Sequence, residues 1–229
     1  MYKSEKNVFW QSLVVTLAIF LIGIFLGLVL ENWRYNNIEQ LAKESEIDLI
    51  DIKLQSEIYS EDNFNCESAI RENINFAERI FEEANLLKKY EDASRLKEDI
   101  KIQHKKYDIL RAMLLINSKR IKEKCNANYH DVVYFYQFNE PSIETKAKQR
   151  TFSNVLIDLK NEFGSEILLI PMAGDNDIIS IKLILETYGI SEEDLPIIVI
   201  DEKIKITEVT NVNDLKLVLE KKQDNIIKL

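Results

Sequence analysis

The chain opens on an unbroken apolar run, with no charged residue between Lys6 and Glu31. At about 1.5 Å of rise per residue, the segment from Val8 to Leu30 can cross a hydrocarbon core about 30 Å thick. Trp10 and Trp33 stand near its two ends, where interfacial tryptophans belong. A cleaved signal sequence would have a shorter apolar core and a small-residue cleavage site after it. Leu28-Val29-Leu30-Glu31 offers no such site. Residues 1–31 therefore read as a retained single-pass anchor in a lipid bilayer. Lys3 and Lys6 precede the run, while Glu31 and Arg34 follow it. That balance favours a cytoplasmic N-terminus and an extracytoplasmic remainder. Gly23 and Gly27 have GxxxG spacing, through which two anchors could approach as a homodimer. Glycine is also simply common in membrane helices.

After the anchor the pattern turns helical and amphipathic, over residues 32–128. A first helix is expected from about Asn32 to Ser60, continuing directly from the anchor. It carries Ile47, Ile50, Leu54 and Ile58 on one stripe, a face expected to pack on the helices that follow. Ile70, Ile74, Ala77, Phe81 and Ala84 then alternate in steps of three and four. So do Leu96, Ile100, Gln103, Tyr107, Leu110, Leu114, Asn117 and Ile121. That rhythm is a coiled-coil seam. Tyr90-Glu91-Asp92-Ala93-Ser94 reads as the turn between two antiparallel helices, with Asp92 or Ser94 capping the second. The polar seam residues Gln103 and Asn117 could set register or face a partner.

At about Tyr129 the texture changes again. Asp131 to Phe138 is β-branched and aromatic, as a buried strand would be. A helix is expected from Pro141 to Phe163, closed by Gly164, and a strand from Ile167 to Met172. A second helix spans Ile178 to Tyr188, again followed by glycine, Gly189. Ile197–Ile200 and Ile204–Val209 pair as a hairpin through Asp201-Glu202-Lys203, and Asn213–Lys222 forms the last helix. The order is β-α-β-α-β-β-α. The first crossover should make its strands parallel, and the closing hairpin should add an antiparallel one. Residues 129–229 are thus expected to form a three-layer α/β domain on a small mixed sheet.

Composition narrows the function. The 229 residues include only five glycines and three prolines, and the net charge is −9. An acidic chain whose only basic cluster is part of a mixed-charge helix argues against nucleic acid. Residues 31–83 hold 14 acidic and 5 basic side chains, while residues 84–128 hold 6 acidic and 12 basic. Opposite charge favours packing between these segments, although each exposed pair contributes little.

The two cysteines, Cys66 and Cys125, do not form a CxxC motif. Folding back at the turn brings them toward the same end of the helix pair. An even count in an exported segment favours one structural disulfide over two free thiols. His104 lies in a mixed-charge helix and reads as a surface residue, and His130 has no evident partner. Asp175-Asn176-Asp177 is too short for a calcium loop and is expected to cap the following helix. No metal ligand set, cofactor fingerprint, P-loop or nucleophile elbow is present in the sequence.

Three features of the last hundred residues carry a resemblance to a known family. Phe138-Asn139-Glu140-Pro141-Ser142 ends a strand and starts a helix. Tyr188-Gly189-Ile190 precedes a later strand, and Leu195-Pro196 opens it. This part of the chain resembles the thioredoxin-like superfamily. The resemblance implies an aromatic residue followed by Cys-Gly-Pro-Cys at the first position and a cis peptide bond before Pro196. Here Asn139 replaces the attacking cysteine and Ser142 the resolving one, and Ser191-Glu192-Glu193-Asp194 lengthens the loop. Disulfide exchange needs a thiolate, which neither residue supplies. The resemblance then implies a redox-inactive, peptide-binding module, its groove bordered by Asn139, Ser142, Leu195 and Pro196. Asn139 and Ser142 could equally serve only as helix caps.

Together these readings give a membrane anchor, a helical hairpin stalk and a thioredoxin-like domain. The expected work is protein–protein interaction, as a scaffold or chaperone-like peptide binder. Two alternatives stand beside it. One is a thiol-disulfide or peroxide-handling enzyme using Cys66 or Cys125, and the other is a structural stalk subunit of a membrane complex.

Overall fold

The computed structural model describes residues 5–91, 97–139, 141–208 and 211–226. The chain divides into two compact units, Met1–Glu44 and Ser45–Leu229. The chain is mostly helical, with one apolar N-terminal helix and a small C-terminal mixed sheet. Helix α1 spans Glu5–Ser60.

In the first unit, the stretch Phe9–Trp33 is long and apolar enough to cross a membrane, and none of it is buried against the protein. Two of its polar side chains turn back on the helix. The Ser12 hydroxyl donates to the Phe9 carbonyl, and the Thr16 hydroxyl to the Ser12 carbonyl, each at 2.9 Å. A donor satisfied within its own helix costs little in an apolar solvent.

The second unit contains the end of α1, α2 (Cys66–Glu91), α3 (Lys97–Cys125) and a four-stranded sheet. The expected turn residues Asp92 and Ser94, with Leu96, lie outside the described residues, as do the side chains of Ala84 and Ile100. The rest of the α3 seam is buried as its rhythm predicts: Gln103, Tyr107, Leu110, Leu114, Asn117 and Ile121. On α2 the deepest seam is Ala69, Asn73, Phe76 and Ile80. The expected Ile70, Ile74 and Phe81 flank it and are only half-buried, while Ala77 is buried.

On α1 the expectation fails. Ile47, Ile50, Leu54 and Ile58 are 68, 65, 53 and 54% exposed. The face turned inward carries Leu49, Ile52 and Tyr59 instead. Polar contacts accompany that face. Asp48 accepts from Arg79 of α2 at 2.8 Å, and Glu46 from Lys106 of α3 at 2.9 Å. Arg120 donates to Ser56, and Lys124 to the carbonyls of Ser60 and Glu61. The acidic segment thus meets the basic one, as the charge distribution suggests.

The sheet contains β1 (His130–Tyr136), β2 (Ile167–Ala173), β3 (Ile197–Ile200) and β4 (Ile204–Ile206), in the order β2-β1-β3-β4. β1 and β2 are parallel, with Val132 opposite Leu169. β3 is antiparallel to both β1 and β4. Between the strands lie α4 (Ile143–Phe163) and α5 (Ile179–Thr187), and α6 (Val212–Ile226) closes the chain. Gly164 and Gly189 follow α4 and α5 at φ of 54° and 59°, a region that glycine enters without penalty. The Leu195–Pro196 peptide is cis.

Alternate side chains of each strand point to opposite faces. Val132, Tyr134 and Leu169 face α4 and α6, meeting Phe152, Leu156, Leu159, Leu215 and Leu219. Val133, Phe135, Leu168 and Ile170 face the other way. They share one core with Phe76 and Ile80 of α2, Tyr107, Leu110 and Leu114 of α3, and Ile181 and Leu185 of α5. This core runs across residue 129, where the sequence texture changes.

Leu110 sits in this core with no exposure. Leu110→Ala is expected to cost about 2–5 kcal/mol, the range for a buried leucine that leaves a cavity. Leu54→Ala, on the exposed face, should cost less than about 0.5 kcal/mol. Urea unfolding of the full chain, followed by far-UV circular dichroism, checks both.

Candidate functional site

The loop from β1 to α4 is held by the loop after β2. One Asp175 carboxylate oxygen accepts from the Phe138 amide and the other from the Asn139 amide, both at 2.7 Å. In return the Asn139 side-chain amide donates to the Asp175 carbonyl, also at 2.7 Å. Gln149 adds a clamp from α4, accepting from the Gln137 amide at 2.9 Å. Ser142 caps α4, its hydroxyl accepting from the Thr145 amide at 3.1 Å. The four expected groove residues thus fall into two pairs. Asn139 and Ser142 are exposed, while Leu195 and Pro196 are buried. Gly174 packs on Leu195 so closely that a Cβ there would lie 2.7 Å from a Leu195 methyl.

Asp175 is the residue that sequence reasoning misplaced. The segment 175–177 does not cap the next helix, whose N-cap is Ile178 with no side-chain bond. Asp175 reaches back to the first loop instead. Asn176 donates to Asp108 at 3.1 Å, and Asp177 pairs with Lys182 at 2.8 Å. Asp108 comes from α3 and has no exposure. It also accepts from the Ala173 amide at 3.3 Å and from Arg111 at 3.4 Å. Burial pushes its carboxyl above the usual range, and Arg111 pulls against that shift. His104 is likewise more than a surface residue. It is half-buried, its ring 4.7 Å from that of Phe138. Helix α3 therefore braces both loops from below.

The cysteines meet. Cys66 and Cys125 form a disulfide, their Cα atoms 5.4 Å apart, between the start of α2 and the end of α3. His130 has a partner that the sequence hid. Its Nδ1 lies 2.7 Å from Asp201, in the turn between β3 and β4. Asp201 also accepts from the Asp131 amide at 3.0 Å and from Lys122 at 2.7 Å. Lys122 donates in addition to Asp131 at 2.9 Å, and the Ser118 hydroxyl to Asp131 at 2.5 Å. One cation thus bridges two buried carboxylates. Burial alone would lower the Lys122 pKa, but Asp131 and Asp201 outweigh it and raise the value above 10.5. Burial raises the Asp131 carboxyl, opposed by Lys122. A spacing rule could not find this cluster, because its members come from α3, β1 and a distant turn.

Gly23 and Gly27 lie in the apolar part of α1, and a Cβ at either would meet nothing within 4 Å. Among the described residues no group of three or more His, Cys, Asp or Glu is arranged to hold a metal ion.

No protein-family model and no curated protein matches the chain. One solved structure, described as that of a malarial protein, aligns at 18% identity and a TM-score of 0.30. The match covers 42% of this chain and 97% of that one. A similarity this low identifies neither fold nor activity.

Lys122→Met leaves Asp131 and Asp201 buried without their shared cation. It should cost about 3–5 kcal/mol, the usual range for breaking a buried pair from one side. Adding Asp131→Asn and Asp201→Asn should restore much of that loss. The raised Lys122 pKa stabilises the fold below about pH 10.5 and is lost as pH rises past it. The stability gap between wild type and Lys122→Met should therefore narrow above that pH, as read by urea titrations at several pH values.

Proposed function

We propose that this chain is a membrane-anchored interaction module whose C-terminal part is a redox-inactive, thioredoxin-like peptide binder. The fate of the thiols carries the reading. At the two positions where the resemblance calls for cysteines, Asn139 is engaged with Asp175 and Ser142 caps a helix. The chain's two cysteines are joined to each other. No described group supplies the thiolate that dithiol exchange requires. The strand directions support the fold half of the reading: β1 and β2 are parallel, and β3 runs antiparallel. The apolar stretch Phe9–Trp33 supports the anchor. An extracytoplasmic placement rests on Lys3 and Lys6 before that stretch, and an oxidising compartment would keep the disulfide closed. Pairing of two anchors through Gly23 and Gly27 belongs to the same proposal.

The peptide would lie in extended form against the loop that carries the exposed Asn139 and Ser142. Selection of displayed extended peptides against the full chain in nanodiscs tests this. Bound peptides should lose at least about tenfold in affinity to Asn139→Trp, or about 1.4 kcal/mol. Insulin disulfides should not be reduced above background. Insulin turnover abolished by Cys125→Ser would replace this reading with the oxidoreductase one.

A further inference from the structure

The exposed stripe of α1 has no partner within the described residues. Ile47, Ile50, Leu54 and Ile58 are each more than half exposed, while Ile52 and Tyr59 on the same helix are buried. At 100° per residue the exposed set centres almost opposite the buried set. The core has thus already taken one face of this helix, and a second apolar face is left in water. Four large aliphatic side chains in register are unusual on a solvated surface, where such residues normally occur singly. From Ile47 to Ile58 the stripe runs about 17 Å, three helical turns.

Charge decides what fits it. Between Ser45 and Ser60 the acidic residues are Glu46, Asp48, Asp51 and Glu57, and the one basic residue is Lys53. Asp48 is spent on Arg79, and Glu46 on Lys106. Helical spacing puts Asp51 on one border of the stripe and Glu57 on the other. Asp51 accepts from Gln55, and neither Asp51 nor Glu57 has an ion pair among the described residues. A second copy of this face would set acid against acid. An anionic lipid surface would meet the same repulsion. A helix with its own aliphatic stripe and lysines or arginines on both flanks satisfies both demands.

We infer that the Ile47–Ile50–Leu54–Ile58 face of α1 docks a basic amphipathic helix of a partner protein. The inference rests on the reading of the chain as an interaction module, but it uses a surface separate from the loop that carries Asn139. The aliphatic stripes bury each other, and Asp51 and Glu57 take cations across the border.

The test uses the full chain in phosphatidylcholine nanodiscs and a fluorescent peptide of about four helical turns. The peptide has leucines at helical spacing and lysines elsewhere. A second peptide keeps the leucines and replaces every lysine with glutamate. The basic peptide should bind above empty nanodiscs and weaken with added salt. Ile50→Ser/Leu54→Ser and, separately, Asp51→Asn/Glu57→Gln should each weaken it at least about tenfold, or about 1.4 kcal/mol. All four positions are exposed, and each double variant is confirmed by an unchanged thermal melt. Asn139→Trp should leave this binding intact even where it abolishes peptide binding at the loop, so failure of one reading is distinct from failure of the other. Any of these results overturns the inference: no binding of the basic peptide, equal binding of the acidic one, indifference to both double variants, or a disulfide-linked dimer of Leu54→Cys formed without peptide. The last would assign the face to a second copy. Capture of the full chain in phosphatidylcholine nanodiscs by anionic vesicles, lost in Ile50→Ser/Leu54→Ser, would assign the face to lipid and overturn the inference too.

Discussion

One face of the four-stranded sheet is covered mainly by helices that precede it in the chain, and the second unit depends on that burial. Phe135, Leu168 and Ile170 would meet water without Tyr107, Leu110 and Leu114 of α3 and Phe76 and Ile80 of α2. Burying aliphatic and aromatic side chains contributes roughly 1.5–3 kcal/mol each, so a face of this size outweighs the single polar contacts around it. Helices α4 and α6 cover the other face. The hairpin is therefore part of the domain core as well as a connection to α1.

Polar contacts then fix how the hairpin sits. Asp108 receives the Ala173 amide and Asn176, so α3 sets the position of the loop after β2. That loop, through Asp175, sets the position of Phe138 and Asn139. At the other end of α3, Lys122 joins Asp131 and Asp201, and the disulfide closes the hairpin just before β1. In an entropy-based account, a link across 59 residues restricts the unfolded chain by about 4 kcal/mol. These contacts cost desolvation, and their value lies in choosing one packing among several apolar ones.

Much of this was legible in the sequence where a period determined the answer. The three-and-four rhythm of α3 picks out Gln103, Tyr107, Leu110, Leu114, Asn117 and Ile121, though not the equally buried Asp108, Arg111, Ala112, Leu115 and Ser118, and the pairing of two helices brings Cys66 toward Cys125. The strands showed as β-branched runs, and the glycines after α4 and α5 marked their ends. Legibility failed where two periods compete or where partners are distant. Helix α1 carries two apolar faces, Ile47–Ile58 and Leu49–Tyr59. The apolar period alone does not choose between them, and the face turned inward is the one flanked by the ion pairs of Asp48 and Glu46. Read locally, Asp175 is a helix cap and His104 and His130 are two idle histidines. Their partners lie on other elements, and nothing in their own neighbourhoods reveals this. Asn139 is held by Asp175 and Leu195 packs on Gly174, contacts between loops that no local motif shows.

Hydrogen exchange of the full chain in micelles, read by mass spectrometry at increasing urea below the unfolding midpoint, tests the shared core most directly. Amides of α3 between Tyr107 and Ile121 and amides of β1 should lose protection together, with the same dependence on urea. Loss of protection in α3 at much lower urea, while β1 and β2 stay protected, would show that the sheet stands without the hairpin and would contradict the account.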